Sequence, residues 1–106
     1  MPMNRTESIR DILEELIAHF TRQKDISHGI DRIANGAAVN YLSLRNRMPL
    51  FVTREQLLID HKYWTGKAKS FVHKDEALQE ANRAMAAKTV EAIIMLGKRI
   101  SELDNA

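Results

Sequence analysis

The sequence predicts an all-α fold: one small domain over residues 1–106, with about four helices and a long C-terminal one, forming a bundle or an intertwined dimer. Three observations carry this. Apolar residues recur every three or four positions in four separate stretches, the spacing of one helix face. No β-branched alternation runs longer than three residues, so nothing reads as a half-buried strand. Asn4 with Glu7, and Thr53 with Gln56, stand just ahead of two of the periodic stretches, where helix N-caps belong.

The first helix is expected over Arg5–Arg22, with Ile9, Ile12, Leu13, Leu16, Ile17 and Phe20 as a single apolar stripe. Glu7 and Asp11 sit in its first turns, against the positive end of the helix dipole. A second helix is expected from Asp25 to Arg45, burying Ile26, Ile30, Ile33, Ala37, Tyr41 and Leu44. Gly29 and Gly36 fall inside it, seven residues apart and so on nearly one face. With Ala34, Ala37 and Ala38 nearby, they permit another backbone to come close. The alternative is a turn at Asn35-Gly36 that divides the stretch into two short helices; the sequence favours the continuous form.

Pro49 ends that helix, because it lacks an amide donor and disfavours helical backbone at Met48. Leu50, Phe51 and Val52 follow in a row, so this connection is expected to be pinned onto the core. The Thr53–Gln56 box opens a third helix, with Leu57, Leu58, His61 and Trp64 as its buried face and an end near Gly66. Lys67–Val72 is a loop or a continuing turn. Asp75 opens the last helix, whose seam of Leu78, Ala81, Met85, Thr89, Ala92, Leu96, Ile100 and Leu103 is heptad-like. From Asp75 to Leu103 that helix spans about 43 Å, whereas a compact domain of this size is only about 34 Å across. It must bend, project, or find cover on a second chain.

Composition narrows the function classes. The chain is 44% hydrophobic and 28% charged, the balance of an ordinary globular protein. It has no cysteine, which removes disulfides, thiolate metal sites and cysteine nucleophiles. The longest apolar run, Ala92–Leu96, is far short of the roughly 20 residues of a membrane helix. Met1–Asp11 is polar, with no apolar signal core, so a cytoplasmic location and no membrane partner are expected. His19, His28, His61 and His73 show no paired i, i+4 spacing, and no metal or other cofactor is expected. No nucleophile elbow or phosphate loop occurs around the serines or the four glycines, and no catalytic residue stands out.

The charge is uneven. Net charge over the chain is +2, but residues 45–74 alone hold Arg45, Arg47, Arg54, Lys62, Lys67, Lys69 and Lys74 against Glu55 and Asp60, a local +5. Phe51, Tyr63, Trp64 and Phe71 lie in the same stretch. Basic and aromatic residues together can neutralise phosphates and stack on bases. Arg45, Arg47, Lys62, Lys67, Lys69 and Lys74 are therefore candidate nucleic-acid contacts. Trp64 and Phe71 read better as core anchors with lysines reaching past them to water. A helix-turn-helix registered on Gly66 or Gly36 places charged residues at sites that should be apolar.

The second candidate surface is on the last helix. Ala92–Leu96 is apolar on more than one face, which suggests a homodimer interface through Met85, Thr89, Ala92, Ile93, Leu96 and Ile100. The leading expectation is a non-catalytic helical protein, a regulator or adaptor working through contacts with a partner protein. A nucleic-acid-binding regulator using residues 45–74 is the alternative.

Overall fold

The computed structural model describes residues 4–105 as four α-helices: α1 (Arg5–Ile26), α2 (Gly29–Arg47), α3 (Arg54–Ser70) and α4 (Glu76–Asp104), with a short 3₁₀ turn at Pro49–Phe51 between α2 and α3. Among the described residues there is no strand, and no helix is long and apolar enough to cross a membrane. Met1–Met3, part of the polar N-terminal stretch searched for a signal segment, and Ala106 lie outside the described residues.

α1 starts where its cap predicts: the Asn4 side chain accepts the Glu7 amide at 2.9 Å. Ile9, Ile12, Leu13, Leu16 and Phe20 are buried, the expected stripe. The helix runs on past Arg22 to Ile26, and the break falls at Ser27–His28 instead of before Asp25. Gly29 takes φ +60°, a left-handed backbone that glycine adopts without penalty. The chain reverses there, leaving Ile26 exposed at the end of α1.

α2 is continuous through Asn35-Gly36, but its buried face is rotated from the one expected. Ala34, Asn35, Ala38, Tyr41 and Leu42 turn inward, while Ile33 and Leu44 are exposed. α2 packs against both α1 and α4, so its covered face is the one set between those two helices, where Ala34 and Ala38 allow close approach. Buried Asn35 is satisfied locally, donating to the Asp31 carbonyl at 2.9 Å. Gly36 does not receive another backbone; a Cβ there would meet only the Lys24 side chain, 3.9 Å away.

The turn after α2 is only half pinned. Pro49 and Val52 are buried, whereas Leu50 and Phe51 point outward. Thr53 caps α3, accepting the Gln56 amide at 3.2 Å. α3 does not stop at Gly66 but continues to Ser70. Leu57 and Asp60 are its buried residues, Trp64 packs at the core's edge, and Leu58, expected inside, is exposed. α3 has one broad helical neighbour, α4, so only a narrow stripe of it is covered.

α4 touches all three other helices. Asp75 caps it, accepting the Ala77 amide at 3.0 Å and that of Leu78 at 3.4 Å. The molecule measures 54 × 29 × 20 Å, so α4 lies along a long axis and its N-terminal turns project together with the end of α3. From Ala86 onward the seam closes: Ala86, Thr89, Ala92, Ile93, Leu96 and Ile100 are buried by the chain's own helices. The dimer surface read onto α4 is corrected accordingly. Thr89, Ala92, Ile93, Leu96 and Ile100 are core residues, and Met85 is half-buried. α4 holds the centre of the bundle, so most of its apolar surface from Ala86 onward is covered by three neighbours within the chain, and Ile94 is left exposed.

Candidate functional site

The six basic residues singled out in the sequence do not form one surface. Arg45 is drawn inward: its Nη2 donates to Asp60 Oδ2 at 2.5 Å, and its guanidinium lies 5.5 Å from the Tyr41 ring centroid. Arg47 sits at the end of the bundle where α3 begins, whereas Lys69 and Lys74 lie at the far end of α3, about 25 Å along the helix. Lys67 is folded over its own helix, with Nζ 5.9, 5.2 and 5.9 Å from the rings of Tyr63, Trp64 and Phe71. Its charge is partly satisfied by ring faces. Lys62 and Lys69 stand exposed on α3.

Asp60 anchors a polar cluster between α2 and α3. Besides Arg45, it accepts the Tyr41 hydroxyl at 2.5 Å and Gln56 Nε2 at 2.9 Å. Burial in the first place, and the hydrogen bond to Asp60 in the second, push the Tyr41 phenol far above its usual pKa. The cluster joins two helices that otherwise touch little. All its partners are mutually satisfied, so it acts as a clasp.

The most enclosed apolar concavity lies between α3 and α4. The two helices run antiparallel, with Arg54 near Asp104 and His61 near Ile93 and Ile94. Leu57, Leu58, His61, Ile93, Ile94, Gly97 and Ile100 line a groove of about 240 Å³, which Arg54, Ser101, Asp104 and Asn105 close at one end. Gly97 is its floor. A Cβ at Gly97 would lie 4.0 Å from the Leu57 side chain, so the missing side chain lets the groove reach the core layer. Its rims are apolar and wet: Leu58 is 66% and Ile94 55% exposed.

The groove has a charged frame. Arg5 holds Asp104 through contacts of 3.0 and 3.3 Å, and those hydrogen bonds keep the Asp104 carboxyl below its usual pKa. Glu91 is paired with Lys88 at 2.9 Å. Lys62 and Lys98 each lie four residues beyond a rim residue, Leu58 and Ile94, and therefore on the same helix faces. With Arg54, they place three cations along the groove, beside two carboxylates, Glu55 and Glu102, that have no ion pair among the described residues.

Sequence reasoning did not find this groove, because it placed Leu58 in the core and gave Gly97 no role. The usable signal was the excess of apolar residues in Ala92–Leu96: Ile93 and Leu96 face inward, and Ile94 is the one left over. Among the described residues no three His, Asp or Glu side chains gather as a metal site requires. In comparisons with known proteins, the chain matches no family model, no curated sequence and no solved structure.

Proposed function

We propose that this chain is a non-catalytic helical binding protein, a regulator or adaptor, whose α3–α4 groove receives one amphipathic helix of a partner protein. One observation carries the reading: Leu58 and Ile94 stand exposed on either side of a glycine floor, between helices already in register. A third helix laid along such a groove buries both rims at once, the helix-in-groove mode of recognition. Covering two side chains that are half to two-thirds exposed is worth about 1–2 kcal/mol each. Lys62, Lys98 and Arg54 favour acidic residues on the flanks of the incoming helix and speed its encounter.

The test is a heteronuclear NMR titration with two synthetic amphipathic helices of equal apolar content, one flanked by glutamates and one by lysines. The acidic peptide is expected to shift the amides of Leu58, His61, Ile94 and Gly97, and to bind more tightly than the basic one. Ile94→Lys is expected to abolish those shifts without altering the melting temperature. Equal binding of both peptides, or shifts confined to other faces, refutes the reading. Sedimentation of the free protein as a dimer blocked by Ile94→Lys makes a second copy the occupant. Salt-sensitive duplex DNA binding that is lost on reversing Lys62 and Lys69 replaces this reading with the nucleic-acid one.

A further inference from the structure

α3 turns one side to the rest of the molecule and leaves the opposite side bare. Its buried residues are Leu57 and Asp60, and α4 is its one broad helical neighbour. On the bare side Leu58 is 66% and Ile59 63% exposed, adjacent in the first half of the helix. Two charged side chains bracket them, Glu55 before and Lys62 after, both exposed.

Neither charge has a partner. Among the described residues no ion pair includes Glu55 or Lys62. The helix itself offers none either. An intrahelical pair forms three or four residues apart, and on α3 those positions are Leu58 and Ile59 for both charges, with Thr65 and Gly66 beyond Lys62. Seven residues separate Glu55 from Lys62, so they lie almost in line along the helix and about 10 Å apart, too far to reach one another.

This pattern is its own complement. The midpoint between Glu55 and Lys62 falls on the peptide link of Leu58 and Ile59. A two-fold axis through that point, perpendicular to the helix, lays a second α3 antiparallel on the first. Each Glu55 then stands opposite Lys62 of the other copy, and Leu58 and Ile59 meet their own counterparts around the axis. A parallel copy in register would set glutamate on glutamate and lysine on lysine, so the charges select the antiparallel arrangement.

We propose that the outer face of α3 is a self-association surface, on which a second copy of this chain docks antiparallel through Leu58 and Ile59, held by two reciprocal Glu55–Lys62 ion pairs. This contact is independent of the groove reading. It shares Leu58 with the groove but leaves Ile94 outside. A single helix pair belongs with the smallest interfaces, below about 1,200 Å², and exposed ion pairs add little strength. Self-association is therefore weak and reversible.

The experiment is sedimentation equilibrium at low salt, from micromolar to millimolar protein. The natural chain is expected to pass from monomer to dimer as concentration rises. Glu55→Lys and Lys62→Glu should each stay monomeric, because like charges then face each other at both ends. Mixed together, those two variants should pair with one another. A single chain carrying both changes has the natural net charge, and should dimerise within about threefold of the natural affinity because the complementarity is restored. Ile59→Lys should abolish the dimer and Ile94→Lys should leave it intact. All four positions are exposed, so the melting temperatures should hold. A natural chain that is monomeric at millimolar concentration, or a charge exchange that fails to restore pairing, overturns the proposal. Loss of the dimer in Ile94→Lys overturns it too, by making the groove the contact. A monomer whose Ile59→Lys variant loses the acidic peptide gives this face to the partner helix instead.

Discussion

Replacing Asp60 with alanine tests whether the clasp between α2 and α3 is a real source of stability. The carboxylate receives hydrogen bonds from Tyr41 at 2.5 Å, Arg45 at 2.5 Å and Gln56 at 2.9 Å. Removing it strands three donors, but unequally. Tyr41 is only 7% exposed, so its hydroxyl loses a bond to a charged acceptor that water cannot replace, about 1.5–3 kcal/mol. The Arg45 side chain is 27% exposed and can turn to solvent. Its share is therefore well below the 3–5 kcal/mol of a fully buried broken pair, about 1 kcal/mol. Gln56 is half-buried and recovers most of its loss. The total is about 3 kcal/mol, read as a lower urea midpoint at unchanged slope. Pairing Asp60→Ala with Tyr41→Phe in a double-mutant cycle should give a coupling of about 1 kcal/mol or more. A single-mutant change within about 0.5 kcal/mol, the level of an ordinary surface substitution, would refute the clasp.

Two further outcomes follow from single groups. Because burial and the bond to Asp60 raise the Tyr41 pKa in the folded state, its contribution is complete below the unfolded value near 10 and declines as pH rises above it. In a Tyr63→Phe background, the phenolate absorbance of Tyr41 should appear together with unfolding; its appearance in the folded protein near pH 10 contradicts the burial. The glycines should respond in opposite senses. Gly66→Ala in mid-helix, where a Cβ meets nothing within 4 Å, should stabilise by about 0.5–1 kcal/mol. Gly29→Ala at φ +60° should destabilise by about 1–2 kcal/mol, both read from urea midpoints.

The helices were legible because each depends on signals local to a few residues. Asn4, Thr53 and Pro49 act at the positions their chemistry dictates, and the α1 stripe from Ile9 to Phe20 faces inward as its spacing requires. α1 and α3 run on past the expected ends at Arg22 and near Gly66, to Ile26 and Ser70; a glycine inside a helix costs only about 0.5–1 kcal/mol relative to alanine, too little by itself to stop one. The candidate sites were less legible. Arg45 looked like a free cation until Asp60, fifteen residues on, was placed beside it. The α4 seam looked like an unmet surface until three helices were laid against it.

By itself, then, the sequence left the continuity of α2 through Asn35-Gly36 open until the structure, but determined the all-α class, the cap positions and the amphipathic character of each segment. These are set by interactions within one or two turns, and the chain order carries them. Only the tertiary structure decided which stripe of α2 faced inward, that Ile93 was core while Ile94 was rim, and that Gly97 floored a groove. Those outcomes depend on how many neighbours each helix acquires: a face is buried or exposed according to what packs against it, and no local pattern specifies the neighbour.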